Sequence, residues 1–404
     1  MKILCVDVGT GTQDILLYDS RKEIENCLKM VMPSPTLRVA QHVKEATRRG
    51  EAIILTGVMM GGGPSHWAVL DHVRTGHQVY ATSEAARTFD DELDKVERMG
   101  IRVVSDEEAH QLDEDEERTI VLRDFDYAMI QAGFAAFGVD LDPDGLALAV
   151  FDHGNAPAGY SDRQFRFDYL EQRIRAENRL SAFAHLRGDV PDHLTRLKAV
   201  EASAADFDGE VMLMDTAPAA VLGALLDPAV SAHPQAIVCN VGNFHTLAFR
   251  LGPHSAEAAP SAASPWDTPR DQRAGEPDPL AKNGNVEGVF EHHTGELTRE
   301  QLDGFIAKMM TGSLEHREVF DSMGHGALMF DRAPVTDRFV AVVGPRRSLM
   351  RDSSHHPYFA VPLGDMMIAG CFGLLRAYAD RFPAQAAEIL ASLHGSLKPA
   401  VWET

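Results

Sequence analysis

Cysteine is scarce in this chain. Four cysteines occur among 404 residues, and no two of them form a C-x-x-C pair. Disulfide scaffolds and zinc ribbons need cysteines at short, paired spacings, so the sequence excludes both classes. Long hydrophobic runs are absent as well, and no run approaches the roughly 18 residues of a membrane span. Because the first residues read directly as a strand, without a charged leader and an apolar core, we expect a cytoplasmic protein.

Positive charge is also in short supply. Lys and Arg together number 38 against 60 Asp and Glu, which gives a formal net charge of −22. Nucleic acids and anionic lipid surfaces are bound by basic surfaces. We therefore expect no nucleic-acid partner and no membrane partner. The net charge does not exclude a small anionic ligand that binds in a local cationic pocket.

The composition is otherwise that of a globular protein, with 45% hydrophobic and 24% charged residues. Short apolar runs alternate with amphipathic ones, which predicts an α/β fold. A predicted hairpin at residues 3–19 opens the chain, and a second hairpin at residues 236–251 opens a similar pattern. We expect two halves, residues 1–235 and 236–404, and an exposed loop rich in Ala, Pro and Ser at residues 253–287.

The first hairpin contains an acidic residue followed by a Gly/Thr turn. Asp7 ends the first predicted strand, and the turn consists of Gly9, Thr10, Gly11 and Thr12. Glycine lets backbone N–H groups approach an anion closely, and threonine hydroxyls add donors. The pattern predicts a phosphate-binding loop, with Asp7 holding a magnesium ion through water. An ordinary hairpin turn is the alternative.

The second hairpin repeats this order of residues. An apolar strand reaches a polar residue, a Gly turn follows, and a second strand returns; the polar and turn positions are Asn240, Gly242, Asn243 and Thr246. Later in the same half, an apolar strand runs into Gly344 and Pro345. Together the three segments resemble the actin–hexokinase–Hsp70 superfamily of ATP-dependent proteins.

This resemblance implies two ribonuclease-H-like lobes that face each other across a nucleotide-binding cleft. The two loops would hold the phosphates of ATP with Mg²⁺, and Gly344 would lie under the adenosine. One departure concerns the metal, because the superfamily carries Asp where this chain has Asn240. We therefore expect metal binding to depend on Asp7.

A further segment resembles the sugar-kinase branch of the superfamily. Asp215 stands directly before an Ala-rich helix, shortly ahead of the second loop. The resemblance implies that Asp215 is the general base that deprotonates the acceptor, a role that contributes about 10²–10⁴-fold to a rate. Asp is also a good helix N-cap, so capping is the alternative role, and both roles are compatible.

Most of the chain also resembles a narrower prokaryotic family of unknown function. The segments that carry this resemblance are Gly57–Pro64, Asp152–Gly154, Asp215–Ala220, Asn240–Thr246, His292–Gly295, Gly324–Gly326 and Gly344–Arg347. Members are often labelled "putative pyruvate formate-lyase activating enzyme", which implies a radical enzyme with a three-cysteine cluster motif. The cysteine spacing here does not supply that motif, so we set the label aside on chemical grounds.

Two groups of residues have no assigned role. Gly61–Gly63 before a predicted helix is typical of an anion-binding nest, or of a tight strand–helix turn. Several of the 18 histidines lie beside turn residues, which suits a substrate pocket or a metal site, although a surface or core position is the more frequent role of any single histidine.

The best-supported prediction is an ATP-dependent phosphotransferase or ATPase with Asp215 and Asp7 as catalytic residues. The acceptor, a small molecule or a protein, is not specified by the sequence. Because of Asn240, a nucleotide- or phosphate-binding sensor without turnover is the alternative. A weaker alternative is a partner in radical-enzyme activation that has no iron–sulfur cluster of its own.

Overall fold

A computed structural model describes residues 1–113, 117–253, 284–395 and residue 398. Helices and strands alternate along the chain. The strands are β1 (Lys2–Val8), β2 (Thr12–Asp19), β3 (Leu28–Pro33), β4 (Ile53–Gly57), β5 (Val79–Thr82), β6 (Ile101–Val104), β7 (Thr119–Leu122), β8 (Gly145–Val150), β9 (Ala184–Leu186), β10 (Glu210–Asp215), β11 (Ala236–Val241), β12 (His245–Gly252), β13 (Asn285–His293), β14 (Gly326–Met329), β15 (Val340–Val343) and β16 (Tyr358–Phe359). The helices are α1 (Pro35–Arg49), α2 (Pro64–Arg74), α3 (Ser83–Ala86), α4 (Leu93–Arg98), α5 (Asp106–Leu112), α6 (Tyr127–Ala135), α7 (Asp162–Ala176), α8 (Thr195–Ser203), α9 (Thr216–Ala224), α10 (Pro228–Ser231), α11 (Arg299–Thr311), α12 (His316–Phe320), α13 (Ala369–Arg381) and α14 (Pro383–Leu393).

Two six-stranded sheets share the arrangement of five strands and differ in the sixth, which is β9, antiparallel to β10, in the first sheet and β14, antiparallel to β13, in the second. In the first, the order is β3-β2-β1-β8-β10-β9, and in the second it is β14-β13-β12-β11-β15-β16. In each sheet three consecutive strands form an antiparallel meander, and two later strands join in parallel beside the first strand of that meander. The predicted α/β class and the duplicated ribonuclease-H-like architecture are thereby confirmed.

A third, smaller sheet stands between β3 and β8 in the chain. Its order is β6-β5-β4-β7, all of its pairs are parallel, and it has a hydrophobic core of its own. Parallel pairs need crossover connections, and α2, α3 and α4 lie between its strands in the chain. The sequence pattern predicts strands at residues 52–55, 79–82 and 101–105, which correspond to β4, β5 and β6, but it does not predict β7 and does not separate these strands from the first lobe.

Helices α9 and α13 pack against each other between the large sheets. Their contact is close enough that a Cβ atom on Gly223 would overlap the carbonyl of Ala369, and one on Gly373 would overlap that of Ala219. The largest hydrophobic core includes side chains of both large sheets together with these two helices. The two lobes are therefore joined by a shared, tightly packed interior.

Two boundaries differ from the sequence expectation. The exposed loop predicted at residues 253–287 falls mostly on residues 254–283, which lie outside the described residues, and its end belongs to β13. The apolar run at residues 363–379 predicts one long helix, whereas α13 begins at Ala369. Leu363 has a φ of 49° inside the short 3-10 turn Pro362–Gly364, and that left-handed conformation interrupts an α-helix. Among the described residues, no helix has the length and apolar content that a bilayer crossing requires.

Candidate active site

The two predicted phosphate loops meet at one cavity between the large sheets. Each loop follows the central strand of its own sheet, β1 or β11, and therefore starts at the carboxyl edge of that sheet. The loop residues that line the cavity are Asp7, Gly9, Thr10 and Thr12 from the first hairpin and Asn240, Gly242 and Asn243 from the second. The duplicated fold thus brings together segments more than 200 residues apart in the chain.

Both loops make the same turn. The N–H of Gly9 donates to the carbonyl of Thr12 at 2.9 Å, and the N–H of Gly242 donates to the carbonyl of His245 at 2.9 Å. The loops also touch, because a Cβ atom on Gly11 would overlap the side-chain amide of Asn243. Glycine at position 11 therefore permits the close approach of the two loops.

Gly344 lies beside the second loop, at the end of β15. Its φ of 100° is a conformation that favours glycine, and a Cβ atom there would overlap the Asn240 side chain. The N–H of Arg346 donates to the carbonyl of Val241 at 3.0 Å, which fixes the turn on that loop. Gly344 and Pro345 line the same cavity as the phosphate loops.

Asp7 lies at the bottom of the cavity and is 8% exposed. The Thr216 hydroxyl donates to its Oδ1 at 2.5 Å, and its Oδ2 lies against Gly370 in the first turn of α13, where a Cβ atom would not fit. Burial raises the pKa of Asp7 to about 7, while the hydrogen bond from Thr216 lowers it. The carboxylate is therefore costly to ionise without a cation nearby.

Asp14 supplies a second carboxylate beside Asp7. The two residues are directly opposite each other in the β1–β2 register, and both line the cavity. Burial and the charge of Asp7 raise the pKa of Asp14 to about 8, and its Oδ1 is buried without a hydrogen-bond partner among the described residues. Two adjacent carboxylates with an unpartnered oxygen form a donor set that fits Mg²⁺, which prefers carboxylate oxygen.

Asp215 lies at the end of β10 and does not line this cavity. Its Oδ1 accepts a hydrogen bond from the N–H of Ala217 at 2.9 Å, so it caps α9 as the sequence allows. Its Oδ2 is ion-paired with the fully buried Arg166. Burial raises the pKa of Asp215, while the Arg166 guanidinium lowers it.

Thr246 is also displaced from the cavity. It is fully buried, and its hydroxyl lies 2.9 Å from the hydroxyl of Thr294, at the start of a short turn after β13. The Thr294 hydroxyl in turn donates to the carbonyl of Gly242 at 2.9 Å. Thr246 therefore supports the second loop from behind.

The Gly61–Gly63 segment holds an internal anion. The N–H of Gly61 donates to both carboxylate oxygens of Asp124, at 3.2 and 3.0 Å. Asp124 is also paired with Arg196, whose Nε lies 2.8 Å from Oδ2, and a Cβ atom on Gly61 would overlap that guanidinium. The nest is thus filled by the protein's own carboxylate, and Arg196 continues to the cavity wall.

Three histidines form a cluster beside the cavity, and one of them, His245, lines it. His245 and His293 are directly opposite each other in the β12–β13 register, and His325 lies just before β14. One ligand atom from each lies within 4.8 Å of the other two. Burial lowers the pKa of His293 to about 4 and that of His245 well below its ordinary value, and the neighbouring imidazoles add to both effects. The imidazoles of His245 and His293 are therefore neutral at physiological pH.

The four cysteines are dispersed through the two lobes, and all are buried and free. Cys5 and Cys371 approach each other, with the Cys371 thiol 3.7 Å from the Cys5 carbonyl, whereas Cys239 belongs to the other sheet. Burial raises the pKa of the Cys239 thiol to about 12 and that of Cys371 well above its ordinary value. Both thiols are therefore protonated at neutral pH in the absence of a metal ion.

Several residues of the site carry no assignment from the sequence. Asp14 had a local signal, since it mirrors Asp7 across the predicted hairpin turn. Thr216 had a weaker one, as the residue after Asp215 in a motif already identified. Arg166 and Arg196 reach the site from separate helices and had no local signal.

Comparisons with known proteins identify a family and distant structural likenesses. The sequence model of a family described as "Putative pyruvate format-lyase activating enzyme (DUF1786)" matches residues 60–256 and 279–349, about two thirds of the chain. No curated protein matches the chain.

Among solved structures, the chain is similar to a ROK hexokinase from Thermus thermophilus, with 12% identity, 62% of this chain and 46% of that chain covered, and a TM-score of 0.21. It is also similar to an exopolyphosphatase-like protein, with 12% sequence identity and a TM-score of 0.26, and the match covers 85% of this chain and 65% of that chain. A third similar structure is a carbohydrate kinase from Novosphingobium aromaticivorans, with 14% sequence identity and a TM-score of 0.20, and the match covers 98% of this chain and 92% of that chain. The chain therefore spans less than two thirds of the first two proteins, and none of the three indicates an activity for it.

Proposed function

We propose that this chain, which belongs to the DUF1786 family, binds ATP with magnesium between its two lobes and transfers or hydrolyses the terminal phosphoryl group. The observation that carries the proposal is the meeting of two identical turns with a pair of carboxylates, Asp7 and Asp14, around one cavity. Backbone N–H groups of such loops bind phosphate oxygens, and a carboxylate pair binds the accompanying cation.

We assign the residues that line the cavity to two parts of the nucleotide, the phosphates and the adenosine. We assign Thr10 and Thr12 on one side and Asn243 on the other as donors to phosphate oxygens, because all three line the cavity, whereas the N–H groups of Gly9 and Gly242 close their own turns. Gly344 and Pro345, beside the second loop, are placed to hold the adenosine. Phosphoryl transfer needs positioning and neutralisation of charge more than covalent chemistry, which suits a site built mainly from backbone donors.

The carboxylate pair offsets the departure at Asn240. In this chain Asp7 and Asp14 lie on adjacent strands of one hairpin, so both negative charges come from the first lobe. A bound Mg²⁺ would neutralise the developing charge on the phosphates. The Thr216 hydroxyl orients Asp7 through its hydrogen bond to Oδ1, and α13 presents its first turn to the other oxygen.

The alternative is a sensor that binds nucleotide without turnover. Asn240 removes one charge from the metal side of the cleft, and the ion pair with Arg166 occupies the carboxylate of Asp215, the residue expected to act as base. Both features favour binding over catalysis. The acceptor in the catalytic case is a small molecule, a protein or water.

Thermal denaturation with nucleotides tests the proposal. Mg·ATP or Mg·ADP at 100 times its dissociation constant should raise the free energy of unfolding by about 2.7 kcal/mol. Asp7→Asn and Asp14→Asn should each remove the magnesium-dependent part of this gain, whereas Asp94→Asn, an exposed carboxylate in α4, should retain it. A melting temperature that millimolar adenine and guanine nucleotides leave unchanged would contradict the proposal.

Phosphate release then separates the two candidate functions. The catalytic function predicts release of inorganic phosphate from ATP, or its transfer to a member of a panel of hydroxyl and carboxylate compounds. The sensor predicts stabilisation by Mg·ATP with neither reaction above the background of the Asp7→Asn protein. In that second outcome the nucleotide site stands and the phosphotransferase function does not.

A further inference from the structure

The histidine cluster beside the cavity has no role in the nucleotide site. His245 and His293 face each other from adjacent strands. The backbone N–H of His325 donates to the backbone carbonyl of Glu291 at 2.9 Å, which holds His325 beside the strand that carries His293. Three separate segments of the second lobe thus deliver one imidazole each. Their potential ligand atoms lie within 4.8 Å of one another.

The cluster contains a ring nitrogen without a hydrogen-bond partner, whereas both ring nitrogens of a neighbouring histidine have one. His293 Nδ1 is buried and has no hydrogen-bond partner among the described residues. The next residue in the strand, His292, has both ring nitrogens within hydrogen-bond distance of carbonyl oxygens, at 2.9 and 2.8 Å. His292 is thus a core histidine whose nitrogens are both matched, whereas His293 has a buried nitrogen without a partner and belongs to the cluster of three imidazoles.

A buried carboxylate stands behind the third imidazole. Glu291 is fully buried, and its Oε1 lies 2.8 Å from Nδ1 of His325. Its other oxygen accepts a hydrogen bond from Nε of Arg166 at 3.2 Å, which fixes the carboxylate. Histidines that bind a metal commonly have a carboxylate at the other ring nitrogen, since it fixes the tautomer and orients the ring. The two atoms are within hydrogen-bond distance but are not aligned for one here, so a small rotation of the imidazole would let Glu291 hold the proton on Nδ1 and leave Nε2 of His325 free.

We propose that His245, His293 and His325 bind one divalent transition-metal ion, such as Zn²⁺, Fe²⁺ or Co²⁺, with Glu291 positioning His325. Three imidazoles suit these ions, whereas Mg²⁺ prefers oxygen ligands. Zn–N bonds of about 2.0–2.1 Å place tetrahedral ligands roughly 3.3 Å apart, so the imidazoles would close by at most about 1.5 Å. His245 and His293 are half-buried rather than fully enclosed.

The site would be open on one side. His245 lines the cavity of the phosphate loops, and the Phe151 ring, which lies in the same cavity wall, stacks on it with centroids 4.1 Å apart. Three protein ligands leave a fourth position for a water molecule or an oxygen anion, which is the arrangement of catalytic rather than structural zinc sites. Metal binding itself does not depend on the proposed nucleotide function.

Metal stoichiometry of the full chain, prepared without a histidine tag, tests this proposal. The protein is stripped with a chelator, loaded with Zn²⁺ or Co²⁺, freed of excess ion and measured by elemental analysis. We expect about one ion per chain and, for Co²⁺, visible ligand-field absorption without a thiolate charge-transfer band. Wild-type protein that retains neither ion would overturn the proposal.

Variants assign the ion to the cluster. His293→Gln should weaken binding at least 100-fold, and Glu291→Gln, which leaves every ligand in place, should weaken it by about 10–100-fold. His110→Gln, an exposed histidine in α5, is the matched control and should bind as the wild type does. Equal affinity in His293→Gln and the control would overturn the assignment. His293 is the primary target because it is half-buried whereas His325 is buried, and melting of the metal-free variants checks that they fold.

A last comparison keeps the two proposals separate. Asp7→Asn should lose the magnesium-dependent nucleotide stabilisation and keep the transition metal, because Asp7 is not among the ligands. His293→Gln should lose the transition metal and keep the thermal shift with Mg·ATP. Loss of the transition metal in Asp7→Asn with retention in His293→Gln would place the ion at the carboxylate pair and refute the histidine site.

Discussion

At the scale of single residues, Asp215 illustrates how one side chain acquires two functions from its surroundings. The cap on α9 is a local interaction, and an Asp before an Ala-rich helix predicts it. The ion pair with Arg166 is a contact between residues 49 positions apart, and Arg166 also holds Glu291 and the Asp152 carbonyl. Asp215 therefore belongs to a buried charge network as well as to a helix terminus.

Asp215→Asn tests the weight of that network. The substitution keeps the cap but leaves the buried guanidinium with Glu291 as its remaining carboxylate, so we expect the free energy of unfolding to fall by about 3 kcal/mol. Asp126→Asn is the control, because Asp126 caps α6 through one hydrogen bond to the N–H of Met129 at 3.0 Å and should cost about 1 kcal/mol or less. Urea denaturation of both proteins measures the difference. Equal losses would mean that capping is the larger contribution.

The same variant tests the role of Asp215 as a base. If Asp215 deprotonates the acceptor, acceptor-dependent turnover should fall by about 10²–10⁴-fold while nucleotide affinity is retained. Full turnover in a folded Asp215→Asn protein would leave the structural role as the sufficient account of this residue.

His185 provides a pH-dependent contribution to stability. It lies in β9, is 4% exposed, and its Nε2 is 3.1 Å from the hydroxyl of Tyr169. Burial, with smaller contributions from Arg173 and Arg381, lowers its pKa to about 3. The unfolded chain, with a pKa of about 6.5, therefore takes up this proton first, and the free energy of unfolding should fall by about 2 kcal/mol between pH 7 and pH 5.

Denaturation at a series of pH values measures this effect. His185→Gln should show a shallower decline below pH 6.5 than the wild type, because the group that binds a proton only after unfolding is gone. His110→Gln removes an exposed histidine and should follow the wild-type curve. Parallel curves for His185→Gln and the wild type would contradict the prediction.

At the scale of secondary-structure elements, the contact between α9 and α13 links packing to the site. The backbone atoms of Ala219 leave no room for a Cβ atom on Gly373, and the N-terminal turn of α13 carries Gly370 against Asp7. Any increase in the separation of these helices would move the wall behind the carboxylate. Small residues in α13 are thus required by the geometry of two elements rather than by their own helix.

Gly373→Ala is expected to destabilise the protein by about 1–3 kcal/mol through overpacking and to reduce the thermal shift with Mg·ATP. The matched control is Gly304→Ala in α11, where no atom lies within 4 Å of a Cβ atom. That substitution should stabilise by about 0.5–1 kcal/mol, because alanine has the higher helix propensity. A stabilised Gly373→Ala protein would show that the helices can separate without penalty.

The elements that the sequence predicts well are those specified by neighbouring residues. Both hairpins and α9 follow from alternating apolar residues, a Gly turn and an Asp cap, and the duplication follows from finding the hairpin twice. The small third sheet is not predicted, because its strands look like those of the first lobe and only their pairing separates them. Pairing depends on contacts between distant segments, which a single sequence does not display.

The same reasoning applies to the two clusters of the candidate site. Asp7 and Asp14 share one hairpin, so their juxtaposition is implied once the turn is recognised. His245, His293 and His325 come from three strands or strand termini separated by tens of residues, and no spacing in the sequence connects them. The sequence indicates that several histidines lie near turns, whereas strand register selects the three that meet.

At the scale of the whole molecule, the positions of the cysteines bear on the family description. Cys5 and Cys371 lie near each other at the contact of β1 with α13. The Cys27 thiol lies against the backbone carbonyl of Asp19, and Cys239 is in the other sheet. A four-iron cluster needs thiolates that converge on one point. All four thiols are buried and Cys239 lies in the other sheet, so four thiolates could converge only after a large rearrangement of the packed interior.

Anaerobic reconstitution with iron and sulfide measures this directly. We expect no cluster with about four irons and four sulfides per chain, and no reductive cleavage of S-adenosylmethionine. If the histidine site takes Fe²⁺, the protein should retain about one iron without acid-labile sulfide, and His293→Gln should lose that iron while His110→Gln keeps it. A brown protein with about four irons and matching sulfide would mean that the cysteines rearrange to bind a cluster. That result would support the radical-enzyme description and reject the histidine cluster as the iron site of the molecule.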